Sequence, residues 1–180
     1  MRRVLLHSAL AAITAAAFSW PSAAAESRLE YEVKAAFLYN FAKFVEWPVG
    51  AFPDADSALE LCIYGDDPFG PVIDHIVRGR TVQGRPIIVQ REVETTSLSV
   101  CHLLFVGPVA SEEMARIVQF TGGTAVLTVG ESDWFIDSGG MIRLFLEGGK
   151  VRFEVNAGAA EQAQLKVSSQ LLKLARTVRR

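Results

Sequence analysis

CHLLFVGPVASEEMARIVQFTGGTAVLTV, residues 101–129, decides the fold. Cys101–Val106 is a continuous apolar run of strand length, ended by Gly107-Pro108. Ser111–Phe120 reads as a capped helix, and Gly122-Gly123 ends it. Thr124–Val129 is a second apolar strand. A strand, a helix and a strand, with both strands almost wholly apolar, is the pattern of a parallel sheet covered on both faces.

The same alternation runs upstream. Leu59–Tyr64 is a short apolar strand closed by Gly65-Asp66-Asp67-Pro68. Phe69–Val77 suits a helix, with Asp66 or Asp67 as its cap and Pro68 in its first turn. Arg85–Arg91 alternates weakly and suits a strand near a sheet edge, because Pro86 lacks an N–H. Residues 48–58 read as a loop.

Further back, Tyr31–Trp47 has no Gly or Pro and is too long for an ordinary strand. At 100° per residue Glu32, Asn40, Lys43 and Glu46 form one narrow stripe, while Val33, Phe37, Phe41 and Phe44 line one flank and Ala35, Leu38, Ala42 and Val45 another. A helix over 29–46, apolar around most of its circumference, requires cover on more than one side. Lys34 is the exception, expected to snorkel outward. Pro48 sets the stop.

The pattern changes after Gly130. Gly140–Glu147, Gly148-Gly149 and Lys150–Val155 spell a β-hairpin, with Arg143, Glu147, Lys150, Arg152 and Glu154 expected on one wet side. Ala157–Ala163 is helical. Ser168 is a fresh N-cap for Ser169–Arg176, with Leu171, Leu174 and Val178 on one face and a break near 164–167. The expected fold is α/β: a mixed, mostly parallel sheet with helices on both faces, a Rossmann-like three-layer arrangement with a C-terminal β-hairpin and helix.

Residues 1–25 have the form of a secretory signal peptide: Arg2-Arg3, an apolar run from Val4 to Trp20, and Ala23-Ala24-Ala25 before the cleavage point. Residues 26–180 then form a single exported domain, expected in the periplasm. Removing Arg2 and Arg3 takes the formal charge from −2 to −4, which is no footprint for nucleic acid.

Cys62 and Cys101 are the only cysteines. In an oxidising compartment they point to a disulfide; closing a loop of roughly 40 residues is worth ~4 kcal/mol in the chain-entropy model. A buried free pair, or a Cys62/Cys101/His102 metal site lacking a fourth ligand, are the alternatives. Asp74-His75 invites a triad, but no nucleophile elbow accompanies it, so no catalytic residue is assigned. No metal or cofactor is expected. Two loops follow strand ends. Gly65–Gly70 lies where open α/β sheets bind ligands, yet its carboxylates would repel phosphate. Gly130–Gly140 carries acidic and hydroxyl groups beside Trp134 and Phe135, and reads equally as a binding loop or as a short helix plugged into the core by an aromatic ring.

Six segments in this order resemble the YfiR-like family: VKAAFLYNFAKFVEWP (33–48), LCIYGDDPFG (61–70), CHLLFVG (101–107), TVGESDWFIDSGGMI (128–142), KVRFEVN (150–156) and LKVSSQLLKLAR (165–176). The resemblance implies a non-enzymatic periplasmic repressor that binds the periplasmic sensor domain of a membrane-bound diguanylate cyclase and so lowers cyclic di-GMP and biofilm formation. It implies an outer-membrane lipoprotein that sequesters the repressor, and a homodimer. Cys62 and Cys101 match the family's disulfide positions. Glu154 falls at a position resembling part of the repressing surface, with Ile142, Arg143 and Asn156 close by as further partner-binding candidates. A second cysteine pair seen in the family near 136–143 is missing. The alternative function is a periplasmic small-ligand-binding protein using the 130–140 loop.

Overall fold

The structure, a computed structural model, describes residues 23–109 and 111–180. Most of the signal-peptide reading therefore lies outside the described residues. The helix α1 (Ala23–Phe44) runs straight into the two-residue strand β1 (Val45–Glu46). The expected cleavage point after Ala25 falls in the first turn of α1. Next come β2 (Leu59–Tyr64), α2 (Pro71–Val77), β3 (Thr81–Val82), β4 (Arg85–Gln90) and a 3-10 segment (Thr95–Val100). The unit that decided the fold follows as β5 (Leu103–Val106), α3 (Ser111–Thr121) and β6 (Leu127–Gly130). The chain closes with β7 (Ile142–Glu147), β8 (Lys150–Asn156), α4 (Ala157–Gln162), β9 (Lys166–Val167), α5 (Ser169–Leu174) and β10 (Val178–Arg179).

Eight strands form one sheet in the order β10-β8-β7-β6-β5-β2-β4-β3. All neighbours are parallel except the β7/β8 hairpin and the β3/β4 pair. The expected mixed, mostly parallel sheet is what forms. Strand residues alternate between faces. Leu61 and Ile63, Leu103 and Phe105, and Leu127 and Val129 point to one face, where α1, α2, α4 and α5 supply Leu38, Phe41, Ile73, Ala160 and Leu171. Cys62, Leu104 and Val106 point to the other, against Met114 and Ile117 of α3 and Phe135 and Ile136 of the β6–β7 loop.

Several local expectations change. The helix expected from Phe69 starts at Pro71. Asp67 does not cap it; its Oδ1 accepts from the N–H groups of Phe69 (2.8 Å) and Gly70 (3.1 Å), bracing the turn before the helix. Gly70 takes the N-cap position at φ 50°, a conformation that favours glycine. Ser168 does cap α5, accepting from Leu171 N. The shared face expected of Leu171, Leu174 and Val178 does not form: Leu171 is buried, Leu174 is exposed, and Val178 has left the helix to pair with Val155 in β10. The break at 164–167 contains β9, which pairs antiparallel with β1 (Val45 with Val167) and ties the end of α1 to the C-terminal region.

Lys34 is the clearest correction. It does not snorkel outward; it is buried, with its ammonium between the carboxylates of Glu30 and Glu131. Burial pulls its pKa down, but the two carboxylates outweigh this and the net shift is upward. Tyr31 donates its hydroxyl to the same Glu131 (3.3 Å). The middle of α1, at Tyr31 and Lys34, thus holds the loop that leaves β6.

Candidate functional site

That loop, residues 131–141, carries the parallel connection from β6 to β7 without a regular helix. Its middle is a helical turn closed by two reverse bonds, Gly140 N–H to Phe135 O and Gly139 N–H to Ile136 O. This is the Schellman pattern, with Gly139 at φ 95° in the left-handed position. Phe135 inserts its ring between Gly130 and Gly140. A Cβ on either glycine would come within 2.4 Å or 2.2 Å of ring atoms, so the plug fits only glycine-lined backbone. Of the two readings of residues 130–140, the aromatic-plug reading describes this geometry.

The plug aims the charged residues around it. Counting from the Gly148-Gly149 turn, the hairpin register sets Arg143 opposite Glu154 and Phe145 opposite Arg152. These four share the face on which Phe135 lies. Arg143 donates from Nη1 to Asp133 Oδ1 (2.7 Å), and its Nε stands 2.9 Å from Glu154 Oε1 without the alignment of a hydrogen bond. Its guanidinium also lies 4.8 Å from the centre of the Phe145 ring. On the neighbouring strand Arg179 pairs with Asp137, and that carboxylate, helped by Glu154, raises the Arg179 pKa. The result is a chain of charges, Asp133–Arg143–Glu154 and Asp137–Arg179, joining the loop to three strands.

The partner-binding candidates fare differently. Arg143 and Glu154 come together, but with side chains only 14% and 15% exposed they are not the wet surface expected. Ile142 is fully buried in the core and offers a partner no contact surface. Asn156 is the N-cap of α4, its Oδ1 accepting from Ala159 N (3.0 Å). Near Glu154 the hairpin is not the sheet edge, because β10 pairs with Val155 and Asn156 at the end of β8. Sequence reasoning missed Asp133, Asp137 and Arg179. The 130–140 loop was singled out, but nothing in the sequence pairs its carboxylates with arginines 10 and 42 residues away.

The other constellations are structural. Cys62 and Cys101 form a disulfide, Cα–Cα 5.8 Å, buried under α3 and the 3-10 segment. His102 Nδ1 accepts from Glu60 N–H (3.1 Å), so Nε2 carries the proton and donates to Ala51 O (3.1 Å). Bonded sulfurs and an engaged imidazole leave nothing of the Cys62/Cys101/His102 metal reading. Asp74 is taken by Arg91 (2.6 Å), which also holds Asp67 and the Gly70 carbonyl. Arg91 therefore fills the loop at the end of β2 where a ligand was considered, and the Asp74–His75 pairing does not form.

The sequence matches the YfiR/HmsC-like family over residues 31–176. The chain belongs to that family. The match runs from the middle of α1 through α5, including the plugged loop and the hairpin. YfiR-like proteins are periplasmic regulators rather than catalysts. Among solved structures, a conserved domain protein from Vibrio cholerae is similar at a TM-score of 0.52 and 10% identity, over 83% of this chain and 60% of that one. At that identity the likeness shows the fold alone. This chain spans 60% of that protein's length. No helix among the described residues is long and apolar enough to cross a membrane.

Proposed function

We propose that this chain is a periplasmic repressor of a membrane-bound diguanylate cyclase. It binds the cyclase's periplasmic sensor domain through the hairpin face organised by Arg143 and Glu154. An outer-membrane lipoprotein relieves repression by sequestering the repressor. The observation that carries the reading is the charge chain itself. Asp133 is 98% exposed at one end, while the side chain of the Arg143 it holds is only 14% exposed. A preorganised carboxylate beside half-buried Phe145 and exposed Arg152 gives a docking surface an apolar centre with a polar rim. Family membership over residues 31–176 supports the regulatory class.

The test is the isosteric Glu154→Gln change, which removes the charge and keeps the volume. Glu154→Lys is a poor probe, because it would place an ammonium against Arg143. With Glu154→Gln the protein accumulates normally, binds the purified sensor domain at least tenfold more weakly, and lets intracellular cyclic di-GMP rise toward the deletion level; a loss of that size corresponds to about 1.4 kcal/mol. Normal accumulation with full repression would place the interface elsewhere. A small-ligand-binding reading has one point of support, a cleft of ≈ 320 Å³ between Val118, Thr128, Gly139 and Asn156 at the end of the loop.

A further inference from the structure

At the end of the sheet away from the hairpin, the outermost strand covers little of its neighbour. β3 meets β4 only at Thr81–Pro86 and Val82–Arg85. Gln83 and Gly84 between them both have positive φ, as in a two-residue hairpin turn. Val82 and Arg85 flank that turn as its hydrogen-bonded pair, so the backbone groups of Arg85 face out of the sheet. Alternation turns the N–H and C=O of Ile87 and Val89 outward as well, and those of Ile88 toward β2. The register with β2 agrees. Glu60, opposite Ile88, gives its N–H to the His102 ring and its C=O to the His102 N–H, which leaves Leu59 and Leu61 to bond Ile88. The β3 ladder does not continue onto Ile87, because Arg80, next in line, gives its N–H to Val77 O (3.0 Å). Ile87 and Val89 thus present unpaired backbone donors and acceptors along an open edge. Such an edge is ordinarily guarded by charge or proline. Here Pro86 lies before the open stretch, and the stretch itself is Ile87-Ile88-Val89, with Ile88 44% exposed.

We propose that this edge takes an extended acidic segment of a partner protein, which adds to the sheet as a strand beside β4. Charge selects that occupant. From Arg78 to Arg91 the chain carries four arginines and no carboxylate, in a protein of formal charge −2. Among the described residues only Arg91 of the four is in an ion pair, with Asp67 and Asp74. Arg85 donates to the backbone carbonyls of Asp54 and Ser57 (2.8 Å each) rather than to a carboxylate. Arg78 and Arg80 are exposed where the open stretch begins. Lys43 joins them, because it and Arg80 both lie against the Tyr39 ring, 5.5 and 5.1 Å from its centre. Pairing β4 with β4 of a second copy would set the arginines at 85 and 91 of one chain against those of the other. An acidic strand gains instead: the main-chain bonds supply affinity and the arginines choose the sign of the partner. Strands β6, β5 and β2 separate β4 from β7, so docking here leaves Arg143 and Glu154 open. The inference does not depend on the cyclase-binding reading.

Residue-resolved hydrogen exchange on the purified chain, combined with a probe peptide, tests it. In the chain alone the Ile88 and Gln90 amides are protected, while the Ile87 and Val89 amides exchange freely. A short synthetic peptide of alternating valine and threonine, flanked by glutamates, binds saturably by fluorescence anisotropy and protects Ile87 and Val89. The same peptide flanked by lysines binds about tenfold more weakly or not at all. Val89→Pro removes an outward N–H and no bond to β2, so the circular dichroism spectrum is unchanged and the acidic peptide binds about tenfold more weakly. The double change Arg78→Glu and Arg80→Glu weakens it by charge alone, and decides the matter where Val89→Pro does not fold. Protection of Ile87 and Val89 in the chain alone would mean that the edge is already covered, by this chain or by a second copy, and overturns the inference. So does an acidic peptide that fails to bind, equal binding of the two peptides, or binding that either a folded Val89→Pro or the double arginine change leaves intact.

Discussion

Adding one methyl group at Gly130 tests whether the Phe135 plug positions the loop. The backbone of Gly130 is not in the left-handed region, so alanine meets no conformational penalty there. Its three nearest contacts would instead all be ring carbons of Phe135, at 2.4, 2.4 and 2.9 Å. Contacts that short cannot be absorbed by tenths of an ångström, so the ring must leave its slot or the strand must shift. Overpacking of this kind costs about 1–3 kcal/mol. Removing the ring with Phe135→Ala costs about 3–5 kcal/mol, because the ring is 1% exposed and a cavity remains. In the double variant the new methyl enters the emptied slot, so Gly130→Ala should cost less than about 0.5 kcal/mol or even stabilise. The coupling between the two sites is then about 1–3 kcal/mol, well above the limit for independent positions. Urea denaturation of the four proteins under oxidising conditions measures it. An equal cost for Gly130→Ala in both backgrounds would refute the reasoning. Gly140 is the poorer probe, because its Cβ would also meet the Phe135 carbonyl oxygen at 2.7 Å.

Two more perturbations address the anchors on either side of the sheet. Lys34→Met leaves Glu131 and Glu30 without their cation; a broken buried pair costs about 3–5 kcal/mol, and since these carboxylates are 17% and 22% exposed the expectation is about 2–3 kcal/mol by urea denaturation, with no loss indicating that water already screens the pair. His102 is held neutral by burial, which lowers its pKa against the weaker opposing pull of the Ala51 carbonyl and Glu60. The unfolded chain takes up a proton near pH 6.5 that the fold resists, so stability is fully present above that value and falls as pH drops below it toward the lower folded pKa. Denaturation midpoints measured between pH 7.5 and about 5, above the ordinary carboxylate range, should decline for the native chain and flatten for His102→Gln; parallel declines would remove His102 as the cause.

The parallel sheet was legible because Leu59–Tyr64, Cys101–Val106 and Thr124–Val129 are apolar on both faces, and only a doubly covered strand is. Ser168 was legible because a cap is a local bond to an N–H three residues on. The two-residue ladders β1/β9 and β10/β8 were not. One valine in the two residues Val45-Glu46 or Val178-Arg179 is too short a pattern to mark a strand until a distant segment supplies the partner. The reversal at Lys34 has the same origin: its second carboxylate, Glu131, is 97 residues away. At the candidate site, hairpin register follows from two glycines and a count, so the Arg143–Glu154 pairing was within reach of the sequence. Their burial was not, because it depends on a loop whose path is fixed by a phenylalanine filling two glycine gaps.

The burial of that pair bears on what it is for. Charges on a hairpin are usually explained as protection of a sheet edge from pairing with other chains. That explanation fails for Glu154, because the chain at 176–179 already pairs with Phe153, Val155 and Asn156 on the open side of β8 around it. Stability is a weak explanation as well. Desolvating a carboxylate and a guanidinium cancels most of their attraction, and an apolar pair of similar volume commonly does as well or better. What the pair does that an apolar pair cannot is hold Asp133 at a fixed place in solvent and keep Phe145 beneath a guanidinium. Those are the properties that the proposed docking face requires, and they reach the sheet through the loop that Lys34 and Phe135 pin at its start and its middle. Damage to either pin should therefore weaken partner binding without touching a residue of the docking face.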